Sequence, residues 1–170
     1  AVAAATVLDG RGLGSVITFA GTENNTCTLE GFTITGGFAA ANNGGGICGA
    51  DCGANIRYCI IENNTASGKV GGGIWGVHGL IEHCIFRNNR SAWGGVARCH
   101  GTLRNCLIYD NTVSGGGAGV NNCDGLIENC TIVSYSPSNP AGLELIRECD
   151  GIFRNCIFAN PGDVFALSTA

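Results

Sequence analysis

The chain has 170 residues, 45% apolar and only 13% charged, with a formal net charge of -4. That composition excludes a disordered tail and leaves no electrostatic basis for nucleic-acid capture. No apolar run approaches the ~20 residues of a membrane-spanning helix, and 29 glycines against 3 prolines suit a chain that turns often.

Taken in chain order, the first structured signal is Leu29-Glu30-Gly31-Phe32-Thr33-Ile34. Five later segments repeat its frame with cysteine in the place of Phe32: Cys59, Cys84, Cys106, Cys130 and Cys156. Each follows an apolar residue by three positions, at Ile56, Ile81, Leu103, Ile127 and Phe153. Successive cysteines are 25, 22, 24 and 26 residues apart. A period in the low twenties means a solenoid, whose repeats bury their apolar faces by stacking on one another.

One repeat, Gly71 to Asn89, shows the expected elements. A strand starts at Ile74, His78-Gly79 turns, a second strand carries Leu80 and Ile81, and a bend at His83 leads into Cys84-Ile85-Phe86. Strand alternation places Ile81, Cys84 and Phe86 inward and Glu82 outward. No helical periodicity competes. The reading is an all-β, parallel β-helix of about seven coils, each 22–26 residues long. It forms a single domain over 1–170. Residues 1–55 are divergent coils with an enlarged loop at 38–51, and 56–170 are the regular cysteine-frame coils.

Stacking turns equivalent positions into columns. Two residues before each frame cysteine stand Glu30, Arg57, Glu82, Arg104, Glu128 and Arg154, a sign-alternating outer ladder. One residue before it stand Gly31, Tyr58, His83, Asn105, Asn129 and Asn155, whose three asparagines are expected to form a bonded ladder at a tight bend. The residues after it, Ile60, Ile85, Leu107, Thr131 and Ile157, fall on the outer face as a contact stripe. A second column, seven residues before the frame cysteine, runs Cys52, Val77, Cys99, Cys123, Cys149.

Eleven cysteines favour an exported chain, secreted or on the cell surface. Stacked frame cysteines lie within disulfide range, and a regular ladder of five suits buried thiols at least as well as bridges. Cys27, Cys48 and Cys52 lie off the regular frame and are the disulfide candidates, as Cys48–Cys52 or Cys27–Cys52. The absence of methionine and the start at Ala1 read as a processed piece.

Two groups carry what functional chemistry there is. His78, His100, Asp124 and Asp150 precede turn glycines and line one edge at consecutive coils. They are either turn residues, ligands for a divalent cation (calcium or zinc), or an acid/base pair. Trp75 and Trp93 flank the Gly-rich side of adjacent coils and are candidates for stacking on sugar rings, against a packing role.

The strings Leu29-Glu30-Gly31-Phe32-Thr33-Ile34-Thr35-Gly36-Gly37, Gly44-Gly45-Gly46-Ile47 and Cys59-Ile60-Ile61-Glu62-Asn63-Asn64 resemble the right-handed β-helix, pectate-lyase-like superfamily, especially its Gly- and Asn-rich bacterial surface and secreted members. The resemblance implies a right-handed coil and a superfamily of polysaccharide lyases, polygalacturonases, phage tail parts and adhesins. It would allow an arginine of the charge ladder to act as a proton-abstracting base. The superfamily's carboxylate cluster for calcium and its three-aspartate site have no matching positions here. Coil length is even, so the expected role is structural or adhesive, with end-to-end self-association. The alternatives are a glycan-binding module and a lyase or hydrolase acting on an acidic polysaccharide.

Overall fold

The computed structural model describes residues 6–134, 145–160 and 163–167. Among them there is no helix, and the strands form four sheets. Each coil crosses them in the same order. The first sheet is built from Thr28–Glu30, Asn55–Arg57, Leu80–Glu82, Thr102–Arg104, Leu126–Glu128 and Ile152–Arg154. The second holds Thr6–Asp9, Phe32–Thr35, Ile60–Glu62, Ile85–Arg87, Leu107–Tyr109, Thr131–Val133, Cys156–Asn160 and Asp163–Leu167. The third holds Phe38–Ala39, Thr65–Ala66, Arg90–Trp93 and Thr112–Gly116, and the fourth Ile17–Thr18, Ile47–Cys52, Ile74–Val77, Val96–Ala97, Val120–Asn121 and Ile146–Arg147.

Neighbouring coils pair in parallel throughout, as Leu103 does with Ile81 and Ile127. The exception is Asp163–Leu167, which folds back antiparallel on Cys156–Asn160. Six strands in both the first and fourth sheets give about six turns rather than seven, because the second sheet's extra strands do not complete a coil. Among the described residues, four coils also have a fourth strand where the sequence reading placed three. The missed strand, in the third sheet, is short and lacks the apolar frame.

The inward phase is as read. Ile81, Cys84 and Phe86 are buried with Ile34, Ile56, Ile61, Ile108, Ile127 and Ile132 in one continuous core. Ile60 and Ile85 lie half-buried on the outer face, while Leu107 and Ile157 are exposed, so the outer stripe exists, and its register extends it to the exposed Val7. The second cysteine column also stacks as read: the amide of Cys99 lies 3.4 Å from Cys123 Sγ, and that of Cys123 lies 3.2 Å from Cys149 Sγ.

The expected disulfides are absent: all eleven cysteines are free thiols, including Cys27, Cys48 and Cys52. Cys48 and Cys52 sit in one strand, opposite Trp75 and Val77, so they stack on different neighbours rather than on each other. The frame thiols face carbonyl groups instead. Cys84 Sγ donates to Glu82 O at 3.3 Å and Ile56 O at 3.6 Å. Burial, reinforced by its hydrogen bonds with Cys130 and Cys84, pushes the Cys106 thiol well above its ordinary range, so it stays a thiol.

The asparagine ladder lies elsewhere than expected. Asn105, Asn129 and Asn155 do hold left-handed backbone angles, with φ of 53°, 53° and 48°. Their side chains are exposed and make no hydrogen bond among the described residues. The bonded ladder is Asn64, Asn89 and Asn111, at the bend between the second and third sheets, which are 0%, 1% and 3% exposed. Asn64 Nδ2 donates to Asn89 Oδ1 at 3.1 Å, and Asn89 Nδ2 donates to Asn111 Oδ1 at 3.0 Å. Each amide also reaches a carbonyl of the coil before it, at Ile34, Ile61 and Phe86.

The charge ladder stacks in register at every step from Glu30 to Arg154. Its ion pairs converge on one residue. Arg57 Nε lies 3.1 Å from Glu82 Oε1, and Arg104 Nε donates to Glu82 Oε2 at 2.8 Å. Glu82 points outward but is only 6% exposed, because the two guanidinium groups cover it.

Candidate functional site

The edge formed by His78, His100, Asp124 and Asp150 is contiguous and lies between the fourth and first sheets. It is a chain of side-chain acceptors for backbone donors one coil on. The His100 amide donates to His78 Nδ1 at 3.1 Å, and the Asp150 amide to Asp124 Oδ1 at 3.0 Å. His100 Nδ1 lies 3.3 Å from both the Asp124 amide nitrogen and Asp124 Oδ2. The imidazoles of His78 and His100 stack with centroids 4.8 Å apart. Turn geometry requires the glycine that follows: a Cβ at Gly125 would collide with the carbonyl of Gly101. Three of its four residues, His78, His100 and Asp124, thus accept from the backbone of the next coil.

Asp51 belongs to the same edge and escaped the sequence reading. In the fourth sheet, Cys48 and Cys52 pair with Trp75 and Val77, so the strand Ile47–Cys52 bulges opposite Gly76. Ala50 and Asp51 take φ of 51° and 65° there. Gly76, at φ 69°, offers no side chain to block the Asp51 carboxylate. Asp51 Oδ1 lies 3.2 Å from His78 Nε2, and its two oxygens clamp Arg98 at 3.1 Å each. His78 Nδ1 accepts a backbone proton, so its Nε2 carries hydrogen and donates to Asp51. No group of three His, Cys, Asp or Glu side chains among the described residues is placed to hold a metal ion.

The two tryptophans do not share a site. Trp75 lies in the fourth sheet with Arg98 over its ring, 5.7 Å from the centroid. Trp93 lies on the third sheet, partly exposed, in a separate 280 Å³ hollow with Val70, Asn121 and the ion-paired Arg147 and Glu148.

A groove that the sequence did not reveal runs along the third sheet. Phe38, Thr65, Arg90 and Thr112 stack in register across four coils. Together with Ser67 and Ser114 they line a hollow of 430 Å³. Arg90 and Phe38 are exposed, and Arg90 makes no ion pair among the described residues. No carboxylate lines the groove.

Residues 95–169 match the family model described as right handed beta helix region. No curated protein and no solved structure matched the chain. Parallel register carries the same architecture back from that region to Thr6. The molecule is a right-handed parallel β-helix, consistent with the pectate-lyase-like superfamily that its repeats resemble.

Proposed function

We propose that this chain is a secreted or cell-surface β-helix with a structural and adhesive role, which holds an acidic glycan along the groove of the third sheet. The observation that carries this reading is the Phe38–Thr65–Arg90–Thr112 column. It sets one unpaired guanidinium among hydroxyl groups, with an aromatic ring at one end, along the solenoid axis. Arginine matches carboxylate geometry, hydroxyl side chains exchange hydrogen bonds with sugar hydroxyls, and an aromatic face packs on the apolar face of a ring. The test is calorimetric titration with oligogalacturonate. Arg90→Ala is expected to weaken binding at least tenfold, about 1.4 kcal/mol, and to reduce its salt dependence. Equal affinity in the variant, or no binding by the native chain, would overturn the reading.

Self-association is favoured by a different observation. The outer stripe of the second sheet runs through Val7, Ile60, Ile85, Leu107 and Ile157, and the first and last two of these are exposed. The far edge of the same sheet is already paired with the antiparallel strand Asp163–Leu167. The stripe directs contact to the side of the solenoid.

A further inference from the structure

We infer that the hollow at the corner between the third and fourth sheets is a binding site for a free α-amino acid with an apolar side chain. It lies apart from the groove of the third sheet and from the outer stripe of the second, and it depends on neither.

The hollow has a volume of 280 Å³ and is lined by Val70, Trp93, Asn121, Arg147 and Glu148. Strand register brings these residues together from successive coils: Val70 bridges to Trp93, and Asn121 pairs with Arg147. The indole of Trp93 is seated on bare backbone, since a Cβ at Gly115 would collide with its Nε1. A Cβ at Gly117 would come within 3.0 Å of Arg147 Cβ and 3.1 Å of Asn121 Cβ, so glycine there leaves the space to those two side chains.

Asn121 points to a ligand. Strand alternation sets it on the outward face of the fourth sheet, next to the inward Val120, yet it is only 5% exposed. Its Nδ2 is buried and has no hydrogen-bond partner. The structural amides of this fold behave otherwise: Asn64, Asn89 and Asn111 each donate from Nδ2 to a carbonyl of the coil before. A buried donor left open is costly, and beside a hollow the missing acceptor is one that a ligand supplies. The last torsion of an asparagine side chain is soft, so a modest turn presents Nδ2 to that acceptor.

Arg147 and Glu148 supply the charges. Arg147 Nε donates to Glu148 Oε1 at 3.2 Å, and both side chains are more than a third exposed. Arg147 and Asn121 stand on neighbouring rungs, about 4.8 Å apart, and their donors suit the two oxygens of one carboxylate. Glu148 suits an ammonium group. An α-amino acid carries both groups on one carbon, so its charges match the adjacent Arg147–Glu148 pair crosswise. Trp93 and Val70 offer an apolar surface to its side chain. The volume falls just under the ~300–1,000 Å³ of ordinary ligand pockets, which suits a single amino acid rather than a polymer.

The experiment is calorimetric titration of the whole chain with L-phenylalanine and L-leucine, and with hydrocinnamate and phenethylamine, each of which lacks one of the two charged groups. Phenylalanine is expected to bind at least tenfold more tightly than either analogue. Arg147→Gln and Glu148→Gln change partly exposed side chains, so Tm should stay level while phenylalanine binding weakens at least tenfold in each. Asn121→Leu keeps the size of the side chain and removes the open donor; its Tm should stay level or rise while binding falls. No binding of either amino acid at millimolar concentration would overturn the inference. Equal binding of hydrocinnamate, or undiminished binding in the Arg147→Gln variant, would do the same. The groove of the third sheet is tested with a different ligand and a different residue, so failure at one site is read independently of the other.

Discussion

Two asparagine columns flank the second sheet and serve opposite ends. Asn64, Asn89 and Asn111 turn inward at one bend, and their amides join coil to coil without reaching water. Asn105, Asn129 and Asn155 sit at the other bend with their amides in solvent. The same residue type is thus retained for two different properties. In the first column the side chain closes hydrogen bonds that the interior would otherwise leave open. In the second the backbone angle is what asparagine supplies, and the side chain is left over for other uses. That is why tyrosine and histidine can replace it there, at Tyr58 and His83, but have no counterpart at Asn64, Asn89 or Asn111.

The largest effect is expected at the centre of the buried column. Asn89→Ala removes four side-chain hydrogen bonds: two accepted from Asn64, one donated to Ile61 O and one donated to Asn111 Oδ1. It also leaves their partners dry. A buried polar group without a partner costs about 1–3 kcal/mol, so a loss of at least 3 kcal/mol is expected in urea unfolding. A loss below 1 kcal/mol would mean that water enters the bend and that the two columns differ less than their burial says.

Between these extremes lies the charge column. Glu82→Gln keeps shape and one acceptor but removes the charge that Arg57 and Arg104 share. Both arginines are more than a third exposed on their side chains, which weakens each pair by solvent screening. A cost of about 1–2 kcal/mol is expected, because the carboxylate itself is covered, and it should shrink in high salt. Glu128→Gln occupies the same column without a close ion pair among the described residues and should change stability by under ~0.5 kcal/mol. Equal effects at the two positions would reduce the ladder to generic surface electrostatics.

The columns also show what was legible from residues alone. The cysteine frame was, because one small apolar residue recurs at a fixed offset from Ile56, Ile81, Leu103, Ile127 and Phe153. Its phase set the core correctly. The bonded asparagine ladder was misplaced by one bend, although the signal was present as doublets: Asn63-Asn64, Asn88-Asn89 and Asp110-Asn111. The first of each pair takes a left-handed angle, with φ of 55°, 54° and 52°, which turns the second inward. The groove of the third sheet was not legible, because Phe38, Thr65, Arg90 and Thr112 share no residue type, and only the strand register brings them together. Asp51 was hidden for a related reason: a bulge displaces it from the repeat, so no count from the frame reaches it. The disulfide expectation failed on stacking. Parallel register sets Cys48 and Cys52 against Trp75 and Val77, whatever their closeness in sequence.

The smallest effect belongs to the exposed column, and it is the sharper test of the comparison. At Asn129 the backbone has φ of 53°, and the side chain has no partner among the described residues. Asn129→Gly keeps the angle accessible and loses only a solvent-facing amide, so stability should shift by no more than ~0.5 kcal/mol. Asn129→Ala loses the amide as well, and with it the short polar side chain that lets asparagine tolerate the left-handed region, at about 1 kcal/mol. The ordering of the two, glycine milder than alanine, isolates the backbone from the side chain. If glycine proved as costly as Asn89→Ala, the exposed amide would be carrying inter-coil bonds after all. If alanine proved neutral, the bend would not need the left-handed angle, and the retention of Tyr58 and His83 there would carry no backbone cost to explain.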